Sequence, residues 1–196
     1  MRSVSVVRYS QAPSTPWKNG LGLTRQLAIH PHGATADSFE WRISIAQLDQ
    51  SADFSPYPGF ERCLAVLDGE MILQRDSLAP LTLTSDSPPV IFAGDTASSG
   101  QVVRGPVLDL NVMCRTSHWH ASLSRLKGPD ASGDAALTLA APGTIVCSLA
   151  ADLHLQLAGL HIVLGRYDLL LAAGQWLDQL LAADGFDAYC IELQRR

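Results

Sequence analysis

Apolar and polar residues alternate in short runs along most of the chain, and clusters of Gly, Pro, Asp and Ser separate the runs. They include VSVVRYS, LTRQLAI, EWRISIAQL, RCLAVLDG, EMILQR, LTLTS, PVIFAGD, VLDLNVM, TIVCSLA, LHLQLAG, LHIVLGRYDLLLAAG and DAYCIEL. A period of two puts successive side chains on opposite faces of a strand, so the pattern predicts an all-β, antiparallel sandwich or barrel. Two segments read as helices: HASLSRLKG, ended by Gly128, and GQWLDQLLAADG, ended by Gly185. The second is equally compatible with a strand and a turn. The small, polar stretch GPDASGDAA (128–136) predicts a loop joining two halves, 1–127 and 137–196.

A faint repeat lies across that loop. Each half carries a strand, a turn glycine (Gly69, Gly159), a second strand, an Arg–Asp turn (Arg75 and Asp76, Arg166 and Asp168) and a further apolar strand. Two similar β-units in tandem would produce this.

Alternation also sorts the polar side chains. In LTRQLAI, Thr24, Gln26 and Ala28 share one face, with Leu23, Arg25, Leu27 and Ile29 on the other. Arg42, Ser44 and Ala46 oppose Trp41, Ile43 and Ile45, while Asp109, Asn111 and Met113 oppose Leu108, Leu110 and Val112. Arg62 opens a strand directly after the turn PYPGF. Two readings compete. The polar faces either meet water, as is usual for antiparallel sheets, or converge inside a barrel to make a small-molecule pocket. Solvated strand faces are usually rich in Lys, Glu and Thr, whereas these carry Arg, Ser, Asn, Asp and Gln beside small residues. In a pocket, Arg42 and Arg62 would offer two guanidinium forks to a carboxylate. Asp109 would hold one arginine or accept from a ligand nitrogen, and Thr24, Ser44 and Asn111 would add neutral hydrogen bonds.

Composition narrows the partners. A net charge of −5, a pI near 5.6 and the lack of any Lys/Arg run argue against nucleic acid. Neither a signal-peptide-like start nor a long apolar run is present, so no membrane partner and a cytoplasmic location are expected. The four cysteines each sit in an apolar run and none forms a C-x-x-C pair, which predicts buried, reduced thiols.

Two local motifs suggest other chemistry. PWKNGLGLT has its lysine before the glycines and leads into a strand, unlike a phosphate loop. It reads as a turn that feeds Thr24 into a strand, with Trp17 either capping a pocket or packing over the barrel end. The pairs His30/His32 and His118/His120 lack a third ligand nearby, so no metal and no cofactor are expected. His154 and His161 stand singly in apolar strands.

Four blocks, PWKNGLGLTRQLAI, FEWRISIAQL, FSPYPGFERCLAVLDGEMILQ, and FAGD followed by GPVLDLNVMCR, resemble in order the signature of the HutD/Ves family. The match covers about residues 4–116 and continues more weakly through the second half. The resemblance implies a bicupin of the RmlC-like superfamily: two tandem, jelly-roll-like antiparallel β-barrels with few short helices. The ligand pocket would lie in 1–127, and a smaller cupin-like half, 137–196, would share one compact unit with it. The family is tied to histidine utilisation by gene context, and its Ves branch to stress. It has no established catalytic activity and is viewed as a sensor or governor binding a metabolite such as urocanate or formiminoglutamate. It lacks the usual cupin histidines, as does PGFERCLAVLDG here.

Residue by residue, the resemblance points to Lys18, Asn19, Thr24, Arg42, Ser44, Arg62, Asp109 and Asn111, with Lys18 and Asn19 near the barrel mouth. Leu21, Gln26 and Glu61 depart from a glycine, a glutamate and an aspartate of the family pattern. Leu21 would be strained if its backbone required a positive φ. The leading expectation is a non-catalytic binder of a small carboxylate metabolite; an interaction protein whose halves mainly build an oligomer, such as a homodimer, is a further reading. A metal-dependent cupin enzyme, an isomerase or dioxygenase, is the competing one.

Overall fold

In a computed structural model, residues 3–128, 135–137, 145–157, 160–173, 180–182 and 186–196 are described. Their strands are β1 (Ser3–Val7), β2 (Ser14–Pro16), β3 (Gly22–His30), β4 (Trp41–Leu48), β5 (Ala52–Asp53), β6 (Phe60–Arg75), β7 (Leu81–Thr84), β8 (Val90–Ala93) and β9 (Ser98–Arg115). Then follow β10 (Trp119–Lys127), β11 (Ala135–Leu137), β12 (Ile145–Ser148), β13 (Asp152–Leu157), β14 (Leu160–Gly165), β15 (Leu169–Ala173), β16 (Leu180–Ala182) and β17 (Asp187–Arg195). The all-β reading holds, and one 3₁₀ turn, Tyr9–Gln11, is the helical element among the described residues.

Both helix expectations need correction. Residues 119–127 form β10, where Ala121 and Leu123 are buried two apart while His120 and Ser124 face outward. That burial has the period of a strand, and β10 pairs beside β17. Gly128 ends this strand: its N–H donates to Phe186 O, and the Phe186 ring occupies the space a Cβ would need. In the second segment, Leu180–Ala182 is β16, and 174–179 and 183–185 lie outside the described residues. Of the expected loop 128–136, residues 129–134 also lie outside them, and Ala135 already begins β11.

Gly69 is not the turn that the repeat suggested. It lies inside the 16-residue β6 at φ +82, and an added Cβ would stand 2.7 Å from Arg104 O and 2.8 Å from Pro106 O. The neighbouring β9 runs alongside on both sides of this position, so β6 bends through register shifts between Val66 and Met71 and does not reverse. The corresponding segment of the second half does reverse: β13 and β14 pair antiparallel from Asp152↔Gly165 to Leu157↔Leu160. Gly159 itself is outside the described residues. The two Arg–Asp turns do share a feature, a non-glycine residue in the left-handed region, Asp76 (φ 42) and Tyr167 (φ 69).

The chain forms two compact units. One comprises Pro13–Ala121 with Arg195–Arg196, the other Met1–Ala12 with Ser122–Gln194. The first residues therefore belong with the C-terminal segment, where β1 pairs with β15 in the register Val7↔Leu169. Arg8 Nη1 donates to Asp168 Oδ2 at 2.6 Å, and the Tyr9 N–H donates to Asp168 Oδ1 at 2.8 Å. This unit is built mainly on the sheet β1-β15-β12-β17-β10 and the sheet β11-β16-β13-β14. Its core joins Val146, Leu153, Leu155, Leu164, Leu170 and Phe186.

The unit spanning 13–121 contains one sheet ordered β2-β3-β4-β9-β6-β7, with β5 added to β9 and β8 to β6. Its pairs are antiparallel. Ala46, Leu48, Leu64, Val66, Met71, Leu73, Leu83, Phe92 and Val107 pack as one apolar cluster, and Phe39, Phe60 and Met113 as another. The opposite faces of the central strands are buried too, with Ile43, Cys63, Leu110, Val112 and Cys114 fully inaccessible.

All four cysteines are free and buried, and burial pushes the Cys63 and Cys147 thiols up to about 12 and those of Cys114 and Cys190 to about 11. They serve as small apolar groups. No helix among the described residues is long and apolar enough to cross a membrane.

Candidate functional site

Pairing across β4, β9 and β6 stacks the inward side chains in layers, because residues opposite each other in a ladder share a face. Leu48 and Val107 make an apolar floor. Above it, Ala46, Asp109 and Val66 stand side by side, with Thr24 of β3 beyond Ala46. The next layer is Gln26, Ser44, Asn111 and Leu64, and the next Ile29, Arg42, Met113 and Arg62. Polarity thus rises from the floor outward.

A β-bulge makes this stacking possible on β3. Gln26 pairs with Ser44, but the register shifts before Ala28, which pairs with Ile43, so Ile29 joins Arg42. Simple alternation put Ala28 with Thr24 and Gln26; the extra residue at Leu27 moves it to the other face.

Over these layers lies a cavity of about 610 Å³. Seven of the eight expected residues line it: Lys18, Asn19, Thr24, Arg42, Ser44, Arg62 and Asn111. The eighth, Asp109, does not reach the lining and is completely inaccessible. Thr24 and Ala46 of the same layer do reach the lining, whereas Asp109 sits on the Val66 side of that layer, beneath the Asn111 amide that donates to it.

Each arginine is held against aromatic faces. The Arg62 guanidinium lies 5.3 Å from the Phe54 ring centre and 5.6 Å from Phe92, and Nη2 donates to Ser55 O at 3.0 Å. That of Arg42 lies 5.0 Å from Phe39 and 5.5 Å from Tyr57, with Nη2 3.7 Å from Met113 Sδ. Such stacking orients a cation while leaving its in-plane donors for another partner. The Nε atoms of both arginines are buried and have no hydrogen-bond partner in the protein. Burial draws the pKa of Arg62 below its ordinary value, against the raising influence of Asp109 and Tyr57.

Asn111 Nδ2 donates to Asp109 Oδ1, while Asp109 Oδ2 and Asn111 Oδ1 are buried without partners. Burial raises the Asp109 carboxyl to about 7, and Arg62 and the Asn111 bond pull it the other way. The Trp17 indole N–H donates to Thr24 Oγ1 at 2.8 Å, and Trp17 both lines the cavity and packs on the apolar cluster, so the two readings of this residue combine.

Lys18 and Asn19 are exposed at the β2–β3 turn. Trp17 N–H donates to Gly22 O, Gly20 N–H to Trp17 O, and Leu21 N–H to Asn19 Oδ1. The left-handed residue of this turn is Gly20 (φ 72), not Leu21, so the anticipated strain at Leu21 is absent.

Sequence reasoning missed the contribution of β2, of the end of β5 and of the segment after it: Thr15, Pro16, Asp53, Phe54, Ser55 and Tyr57. That segment is tied down by Phe54 N–H to Ser98 O and Tyr57 N–H to Gly94 O, both long-range bonds. The aromatic and proline-rich spelling FSPYPGF beside Arg62 was the available signal.

The histidines lie away from the lining. His118 Nδ1 is 2.6 Å from Glu40 Oε2, and His120 Nδ1 is 3.3 Å from Glu61 Oε1, so the two rings engage separate carboxylates. His30 stacks on Trp41 at 5.4 Å. His154 and His161, read as single, meet across the β13–β14 hairpin at 3.2 Å. Among the described residues, no cluster of three or more His, Cys, Asp or Glu is placed to hold a metal ion.

Comparison with other proteins places this architecture. The sequence model described as HutD matches residues 9–190. An uncharacterized 21.2 kDa protein in the hutC 3′ region of Pseudomonas putida is 27% identical over 195 residues, 97% of each chain. Protein Ves of Citrobacter koseri is 36% identical over 113 residues, 57% of this chain and 58% of that one. Among solved structures, HutD from Pseudomonas fluorescens SBW25 superposes with a TM-score of 0.80 at 27% identity, covering 99% of this chain and 100% of that one. A cupin 2 conserved barrel domain protein from Leptotrichia buccalis, 11% identical, shares the fold at a TM-score of 0.59, with 97% and 96% covered.

Proposed function

The chain belongs to the HutD family, and on that footing we propose that its cavity binds a small carboxylate metabolite, as a sensor or governor and not as a catalyst. The observation that carries the reading is the pair of guanidiniums, Arg42 and Arg62, set against aromatic rings with both Nε donors buried and unpartnered. A buried cation short of acceptors is costly, and a carboxylate in the cavity would offer acceptors and balancing charge to the two arginines that line it. Ser44, Asn111 and Gln26 add neutral groups at the next layer, and exposed Lys18 adds positive charge at the mouth.

A relative supports the choice of metabolite class. The Pseudomonas putida protein is described by its place next to hutC, which directs attention to histidine-degradation carboxylates such as urocanate and formiminoglutamate. Calorimetric titration with urocanate, formiminoglutamate, glutamate and formate tests the proposal. Binding of one or more that is lost in Arg62→Ala supports it. Absence of binding by all four, or unchanged binding in the variant, defeats it.

A further inference from the structure

We infer that anion binding in this cavity is coupled to the uptake of one proton by Asp109, a positioning residue that stands behind the lining. The inference rests on the carboxylate-site reading above.

Asp109 is a carboxylate with no access to water. Its register neighbours, Ala46 on β4 and Val66 on β6, are apolar, and the floor beneath, Leu48 and Val107, is apolar as well. One oxygen accepts from the Asn111 amide, and the other has no partner in the protein. What favours its ionised form is therefore the Asn111 bond and the charge of Arg62 on β6. The other ionisable groups around the cavity are Arg42 on β4, Lys18 in the β2–β3 turn, Asp53 and Tyr57; none of the six histidines lines it.

Arg62 is shared. It lines the cavity, and it is also the cation that sustains the charge of Asp109. A carboxylate beside Arg62, in the cavity that Asn111 also lines, brings a second negative charge towards Asp109 and offsets the positive charge that favours its ionised form. Two carboxylates around one cation in a dry site raise the pKa of one of them. Asp109 responds, because burial already holds it at about 7, where one added charge decides its state near neutral pH. The proton comes from solvent and settles on the unpartnered Oδ2, so the ligand carboxylate is then the one negative charge that Arg62 balances. The direction follows: the bound state holds more protons than the free state, so affinity falls as pH rises through the Asp109 range.

The experiment is calorimetric titration of the full chain with sodium formate, whose own carboxyl stays ionised throughout, between about pH 5.5 and 8.5. Amine buffers of different ionisation heat (bis-Tris, imidazole, Tris) report proton uptake. The expected result is uptake approaching one proton per formate near neutral pH, with affinity falling by up to about tenfold per pH unit in that range. Asp109→Asn, which copies the neutral acid, should bind formate without uptake and with a flat pH profile. Formate binding by the wild type with no uptake at any pH overturns the coupling and leaves the site standing, as does a variant that keeps full uptake. Absence of formate binding by the wild type under every condition overturns the coupling together with the formate-sized form of the site reading. If the variant does not fold, the wild-type buffer series decides alone.

Discussion

Arg42 and Arg62 stand opposite the same residue, Met113, from the two sides of β9. They are 20 positions apart in sequence and lie on strands that do not pair with each other, yet the central strand brings both into one layer of the cavity wall. Their guanidiniums rest on separate aromatic pairs, Phe39 and Tyr57 for one, Phe54 and Phe92 for the other.

This geometry predicts shared responsibility for the ligand. Each of Arg42→Ala and Arg62→Ala should weaken carboxylate binding roughly 30- to 100-fold, the worth of a charge-assisted hydrogen-bonded contact. The double variant should lose less than the product, since two forks gripping one group are not independent. Arg62→Lys should restore charge but not the planar fork, and recover only part of the affinity. Titration calorimetry measures all four.

Asp109 predicts an unusual dependence of stability on pH. Its carboxyl is raised to about 7 from an unfolded value of 3.8, so the folded state keeps a proton that the unfolded chain has released. Its contribution to stability is complete below the unfolded value, declines as pH rises between the two values, and is constant above the folded one. The slope in the window is about 1.4 kcal/mol per pH unit, and the total on the order of a few kcal/mol. Asp109→Asn removes that slope. Urea unfolding of both proteins across the window should give stabilities that run together at low pH and separate as pH rises, the wild type falling away from Asp109→Asn; parallel curves would contradict the burial argument.

The two glycines of the opening turn should fail differently. Gly20 has φ +72 with nothing within 4 Å of a built Cβ, so Gly20→Ala meets only the left-handed backbone penalty, about 1–2 kcal/mol. Gly22 has ordinary φ, but its Cβ would stand 2.3 Å from Gln47 O and 3.3 Å from the Trp17 ring. Gly22→Ala should therefore cost more, upward of about 2 kcal/mol, and disturb the β3–β4 pairing that carries Thr24. Leu21→Gly should bring no gain. Thermal unfolding ranks the three.

Trp17 should report occupancy. Its indole donates to Thr24 and faces the cavity, so a bound carboxylate should change tryptophan emission. Of the four tryptophans, the change should vanish in Trp17→Phe. A signal that persists in this variant would place the ligand elsewhere.

The thiols should be silent. With pKa values pushed to between about 11 and 12 and buried side chains, none of the four should react with a disulfide reagent in the native state at neutral pH. All four should react in denaturant.

What the sequence alone determined was whatever depends on local period and residue chemistry. Alternation is a property of neighbouring residues, and it placed Arg42 with Ser44, and Asp109 with Asn111, before any strand had a partner; the β4–β9 register then put both pairs on one side. Tertiary structure decided everything that depends on a partner strand. The bulge at Leu27 turns Ala28 away from the cavity, Gly69 bends a strand that β9 supports throughout, and β10 is a strand because β17 lies beside it. The depth of Asp109 has the same origin. Its side chain shares a face with Asn111, but whether a position on that face meets a ligand or an apolar floor depends on Ala46 and Val66, which arrive from two other strands. The first residues of the chain joined the C-terminal unit through β15 and Asp168, more than 150 residues away. Pairing of that range costs loop-closure entropy and is settled by burial over the entire unit, a quantity that no short window of sequence contains.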